Sequence, residues 1–235
     1  MSVATRSRTA WIWSAVSTSS VTVRPYRPHQ RSRRPVVPAR ACFNVGVRLT
    51  RDAVRRALDA VPREGFLPAS ARTAAGRDAP IPIGHGQTNS QPRTVETMLR
   101  LLDVQPGQRV LDVGSGSGWT TALLAHLTGP DGWVRGVELV PELAQWGAEN
   151  LAATSLTWAS ISPVVDDVLG DPEHGPYDRI LVSANARSLP DELVEQLADG
   201  GRMVIPVNSR MVVVERRGGE ARTSEHGAYR FVPLR

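Results

Sequence analysis

The 235-residue chain contains no lysine, so all 28 of its Lys+Arg positions are arginine. We read this as the coding bias of a GC-rich genome and attach no mechanism to it. A single cysteine, Cys42, excludes an internal disulfide and is compatible with a reducing cytosol. Cys42 also lies outside the expected fold, which argues against a catalytic thiol. No run approaches the roughly 20 apolar residues of a membrane span. His85, His126, His174 and His226 show no ligand spacing, so no metal site is expected. Acidic residues are absent from positions 1–50, which hold nine arginines. The other nineteen arginines face 23 acidic residues, so the rest of the chain is net acidic. The overall charge of +5 therefore belongs to the N-terminal segment and is no nucleic-acid footprint of the whole protein.

That segment carries Pro25, Pro28, Pro35 and Pro38 and the cluster Arg31-Ser-Arg-Arg34. It cannot bury enough apolar surface to offset its ordering entropy, so residues 1–45 are expected to be a disordered tail. A basic interaction arm and a targeting peptide are weaker readings. The stretch from Thr9 to Val23 is too interrupted for an apolar signal core. Residues 46–235 suit one domain with a sizeable core.

Within that domain the periodicity predicts helices over 49–61 and 94–102. From Arg109 onward strands near 109–113, 133–137, 160–165, 178–183 and 202–207 alternate with helices near 118–127, 141–153 and 189–198. Pro141 suits a first helical turn and Gly200-Gly201 a helix stop. Val212–Arg216 and Tyr229–Val232 are expected to add a terminal antiparallel pair. The fold class is α/β, a mostly parallel, doubly wound sheet.

The run Val110-Leu-Asp-Val-Gly-Ser-Gly-Ser-Gly-Trp119 places Gly114, Gly116 and Gly118 between a strand and a helix. Such a turn lets backbone approach a ligand closely. Glu138 ends the next strand, where it can accept hydrogen bonds from a ribose diol. Together these describe a nucleoside pocket, and the G-x-G-x-G spacing favours S-adenosylmethionine over a nicotinamide cofactor. Asp166, after the third strand, can accept a hydrogen bond from an adenine amino group; alternatively Asp166 and Asp167 cap a helix or solvate a loop.

The segment Pro62–Gln91 is long and rich in proline and glycine, as functional loops often are. It contains Ile81-Pro-Ile-Gly-His-Gly-Gln-Thr-Asn-Ser-Gln-Pro92. Ser90 either caps the following helix or presents its hydroxyl to an anionic substrate, and physical reasoning alone leaves these near even. His85 is a candidate general base, though between two glycines it reads more simply as a loop residue.

These segments, with Val61-Pro-Arg-Glu-Gly-Phe-Leu-Pro68, Pro176–Ile180, Leu197–Val207 and Phe231–Leu234, resemble the protein-L-isoaspartate O-methyltransferases over about 49–235. The resemblance implies a Rossmann-like, class I methyltransferase fold with antiparallel C-terminal strands. It implies methyl transfer from S-adenosylmethionine, leaving S-adenosylhomocysteine, to the free carboxylate of L-isoaspartyl residues in damaged proteins or peptides. In the family the ester then collapses to a succinimide that reopens partly to aspartate. Ser90 takes the active-site serine position, with Gln87, Thr88 and Asn89 beside the cofactor. Gly114, Gly116, Glu138, Leu139, Asp166 and Asp167 match cofactor-contact positions. The chain departs from the family pattern at Gly76, Asn89 and Asn185. A cytosolic monomer is expected, with no membrane or nucleic-acid partner. Two further readings are a related O-methyltransferase acting on an Asp carboxylate of a dedicated peptide, and a non-catalytic adenosyl-binding module that uses its basic tail for interaction.

Overall fold

A computed structural model describes residues 23–25, 51–164 and 168–235. Along the chain run β1 (Val23–Pro25), α1 (Arg51–Ala60), β2 (Ile81–Gly84), β3 (Gln87–Asn89), α2 (Pro92–Leu102) and β4 (Arg109–Val113). These are followed by α3 (Trp119–Thr128), β5 (Trp133–Glu138), α4 (Pro141–Ala152), β6 (Ala159–Pro163) and β7 (Tyr177–Val182). Last come α5 (Asp191–Glu195), β8 (Leu197–Val207), β9 (Arg210–Arg217) and β10 (Glu220–Ala228).

Apolar residues alternate in space along the central strands, and this period of two builds a core on each side of the sheet. Val110, Leu181, Val204 and Val213 face one cluster, with α1, α2 and α3. Leu111, Ile180, Val182, Met203, Ile205 and Val214 face the other, with Leu193 and Val194 of α5. The amphipathic α2 buries Val95, Met98, Leu99 and Leu102. By contrast, α3 is buried nearly all round, as a helix covered by both sheet and neighbouring helices must be.

The sheet order is β1-β10-β9-β8-β7-β4-β5-β6. Strands β4 to β8 run parallel, and β8, β9 and β10 form an antiparallel meander. Chain order reverses between β4 and β7, so the loops after these strands diverge and leave a crevice at their carboxyl ends.

Four expectations change. The helix near 189–198 shrinks to α5, because the next residues enter the sheet. Tyr177 N–H donates to the Gln196 carbonyl at 2.8 Å, and Tyr177 pairs with Leu197. Gly200-Gly201 is therefore no helix stop: Gly200, at φ +79°, lies within β8 where its register with β7 shifts. The terminal antiparallel pair is β9 with β10, not with Tyr229–Val232. Val232 instead accepts from Asn185 N–H at 2.7 Å, beside the end of β7. The long 62–91 loop holds two 3-10 turns, Arg63–Phe66 and Ala69–Ala74, and the hairpin β2–β3.

Of the basic N-terminal segment only Val23–Pro25 is described, as a strand pairing antiparallel with Arg222–Ser224 of β10. The expectation of no regular structure does not hold at these three residues, and the rest of that expectation lies outside the described residues. A chain beginning at Gly46 would lose β1, and among the described residues the first buried core residue is Ala53. We expect it to melt within about 5 °C of the full chain, since about 1 kcal/mol shifts a domain of this size by only a few degrees. A fall beyond about 10 °C by calorimetry, several kcal/mol on that scale, would show that residues 1–45 contribute to the core.

Candidate functional site

The glycine turn after β4 is held to β5 by its own backbone. Gly114 and Ser115 N–H both donate to the Val137 carbonyl, at 2.9 and 3.1 Å. Gly118 has φ +90°, and a Cβ there would lie 2.8 Å from the Gly147 carbonyl of α4. Only glycine satisfies both the left-handed backbone and the close approach of α4. Glu138 is buried at the end of β5. Its carboxylate accepts from Gly116 N–H at 2.8 Å and from Val140 N–H at 3.1 Å. Each oxygen keeps a further lone pair for a ligand hydroxyl.

Asp112 points from β4 toward α3, where one carboxylate oxygen accepts from the Thr120 and Thr121 hydroxyls at 2.8 and 2.7 Å. Its other oxygen, Oδ1, and the Ser115 hydroxyl are buried without a partner among the described residues. Burial pushes the Asp112 carboxyl up to about 6, and negative Glu138 adds to the rise.

On the opposite wall the β2–β3 hairpin turns through Gly84-His85-Gly86, all with positive φ. Arg63 anchors this wall from beneath. Its Nη2 donates to the carbonyls of Ala79, Asn89 and Ser90 at 2.9, 3.0 and 2.9 Å. Nη1 reaches Arg77 O at 3.0 Å, and the guanidinium lies 5.5 Å from the Trp119 ring centroid. Burial lowers the Arg63 guanidinium to about 10, so it stays charged at neutral pH.

The N-cap of α2 is Gln91 rather than Ser90, and no side chain at the cap position closes it. Asp78 does so from outside the helix, accepting from Arg93 N–H and Gln91 Nε2, both at 3.0 Å. Burial opposes its ionisation, but these bonds and nearby arginines hold its carboxyl below the usual range. The capping role weighed for Ser90 is therefore taken by Asp78.

Between the two walls lies a cavity of about 410 Å³, within the usual range for ligand sites. It brings together Gln87, Thr88, Asn89 and Ser90 from the hairpin with Gly114, Gly116, Glu138 and Leu139 from the sheet ends. Asp166 and Asp167 lie outside the described residues, while Val164 and Val168 on either side line the cavity. Leu139 and Val168, 44% and 42% exposed, both border it. Such exposed apolar surface at a cavity rim fits contact with a flat ring. A diol acceptor, glycine backbone, apolar rim residues and an unpartnered Ser115 hydroxyl fit an adenosyl group with an amino-acid arm. Sequence reading did not single out Ser115, Val168 or Ser183. Ser115 lies within the glycine motif, but the roles of the other two depend on loop paths that carry no periodicity.

The family model for protein-L-isoaspartate(D-aspartate) O-methyltransferase matches residues 44–235. A protein-L-isoaspartate O-methyltransferase of Aeropyrum pernix is 48% identical over 188 residues, 77% of this chain and 72% of the relative. One of Methanopyrus kandleri is 46% identical over 186 residues, 77% of this chain and 82% of the relative. A Plasmodium falciparum structure named as a protein-L-isoaspartate O-methyltransferase, in complex with S-adenosyl-L-homocysteine, superposes with a TM-score of 0.69 at 27% identity. It covers 78% of this chain and 90% of its own.

Two measurements probe this site. The folded pKa of Asp112 lies above its unfolded value of about 3.9, so its contribution to stability is full below about pH 4. It is lost as pH rises through about 6, a change of about 3 kcal/mol. Asp112→Asn cannot titrate. It should gain on the native chain between about pH 4 and 7 in denaturant melts, and a constant difference would show that Asp112 does not titrate there. Glu138→Ala should weaken S-adenosylhomocysteine binding about ten- to a hundredfold by calorimetry. It should also lower stability, because Gly116 N–H loses its acceptor. Unchanged affinity would remove Glu138 from the binding site.

Proposed function

Because this chain belongs to the protein-L-isoaspartate(D-aspartate) O-methyltransferase family, we propose that it methylates the free carboxylate of L-isoaspartyl residues in damaged proteins or peptides. The observation that carries this reading is the position of Ser90. It lines the cavity between the two walls and also a smaller cleft, shared with Thr88, Ser183 and Val232. In this reading an acceptor entering by the cleft meets, beside Ser90, a methyl donor seated under the glycine turn.

S-adenosylmethionine, when bound, supplies an electrophilic sulfonium methyl, and transfer to a carboxylate oxygen yields a methyl ester and S-adenosylhomocysteine. The chain's own task is to align and to exclude water. A carboxylate with a pKa near 4 is already ionised at neutral pH and needs no general base. At the junction, Thr88, Ser90 and Ser183 offer neutral hydroxyls. A hydroxyl can orient the oxygen nucleophile while leaving its charge unpaired, which preserves its reactivity. The exposed His85 on the hairpin turn is not required as a base.

The glycine turn and Glu138 hold the nucleoside end in this reading, and Leu139 and Val168 flank its ring. Asp166 and Asp167 remain proposed contacts by family position. We further propose a cytosolic monomer. No helix among the described residues is long and apolar enough to cross a membrane.

A decisive assay compares one peptide carrying isoaspartate, aspartate or asparagine at the same position. Methyl incorporation is expected with isoaspartate alone. Equal turnover of the aspartyl peptide would favour a dedicated Asp-carboxylate enzyme, and cofactor binding without turnover a non-catalytic module. In the same assay Ser90→Ala should lose roughly tenfold or more in kcat with cofactor affinity held. Its melting temperature should hardly move, since Ser90 caps no helix. Full activity in that variant would remove Ser90 from the chemistry.

A further inference from the structure

Asn89 ends β3, one residue before Ser90, and is only 5% exposed. Although it lines the cavity, its carboxamide is engaged at both ends. Oδ1 accepts from Arg63 Nε at 2.7 Å, and Nδ2–H donates to the Ser117 hydroxyl at 3.0 Å. Ser117 is buried between Gly116 and Gly118, and its carbonyl accepts from Asn150 Nδ2 of α4 at 3.0 Å. Arg63 in turn donates to the carbonyls of both Asn89 and Ser90. A single side chain therefore joins the turn on the donor side of the cavity to the residue on the acceptor side.

We infer that Asn89 is a positioning residue, whose carboxamide couples the glycine turn to Ser90 so that filling the donor site fixes the acceptor hydroxyl. This rests on the methyl-transfer reading above. The chemistry of the link is specific. It must offer an acceptor to a guanidinium N–H and a polar partner to a hydroxyl, across a buried gap. An aliphatic side chain would fill the volume but leave Arg63 Nε and the Ser117 hydroxyl unpaired in a dry place. An aspartate could keep both bonds, because the Ser117 hydroxyl can reverse and donate. Alignment is the main contribution asked of this protein, and small displacements of an aligning group can lower rates about a hundredfold.

The test uses the full chain. For Asn89→Leu we expect kcat on an isoaspartyl peptide to fall about tenfold or more, with peptide KM within about threefold of native. Asn89→Asp should recover kcat to within about threefold. A role in packing alone would lower the melting temperature of Asn89→Leu and leave kcat unchanged, which would overturn the assignment. Amide hydrogen exchange gives a second readout that needs no acceptor. Adding S-adenosylhomocysteine should slow exchange across residues 81–90 in the native chain and in Asn89→Asp, and distinctly less in Asn89→Leu. Equal protection in Asn89→Leu, or none in the native chain, overturns the coupling. If the native chain fails to methylate the peptide, the methyl-transfer reading falls and exchange alone decides the coupling. Should Asn89→Leu not fold, Ser117→Ala cuts the same link from its other end and carries the same expectations.

Discussion

The buried guanidinium of Arg63 is the constraint around which the hairpin wall of the cavity is organised. A charge taken out of water is tolerated only when its donors are all met. Among the described residues no carboxylate bonds Arg63; its three nitrogens donate instead to Asn89 Oδ1 and to the carbonyls of Ala75, Arg77, Ala79, Asn89 and Ser90. Those carbonyls belong to a loop and a short hairpin with few ladder bonds of their own. The need to satisfy one cation thus fixes the path of residues 75–90. Trp119, whose ring faces the guanidinium, also donates to the Val61 carbonyl at 3.0 Å, which ties the segment carrying Arg63 to the buried α3.

From α3 the order passes to the wall built on the glycine turn. The helix is buried because the sheet lies on one side and α1 and α4 press on others, so its first turn cannot drift. Gly118 opens it, and Gly147 of α4 approaches so closely that a Cβ would lie 2.7 Å from the Gly116 carbonyl. The threonine hydroxyls of its first turn bond the Asp112 carboxylate beneath. The two walls of the cavity are therefore rigid for different reasons, one through backbone contact and one through a cation.

Much of this was open to reading from sequence where a periodic pattern or a glycine turn is enforced by local sterics. Strands β4, β5 and β7, helices α2 to α4, the glycine turn and Glu138 stand close to their expected places. The misses occur where distant partners decide. Residues 197–199 have helical company before them and a glycine pair after, yet pairing with β7 draws them into the sheet. Ser90 looks like a cap until Asp78, twelve residues earlier, is seen to bond Gln91 and Arg93. Arg63 was notable only as part of a family motif. Its importance lies in carbonyl groups, which no sequence pattern advertises, and among the described residues Asn89 is the one side chain that accepts from it.

The electrostatics of Arg63 also bear on the proposed chemistry. An acceptor carboxylate needs some positive potential to enter a partly dry cleft, yet a direct guanidinium clamp would stabilise its charge and blunt its attack. Arg63 lies behind Ser90, bonded to that residue's carbonyl rather than exposed to the cleft. Its nitrogens are already committed to protein oxygens, so it contributes field without offering a bidentate partner. The hydroxyl in front is neutral and the cation behind is occupied. That arrangement suits a reaction in which the nucleophile arrives charged and has to stay so until the new bond forms.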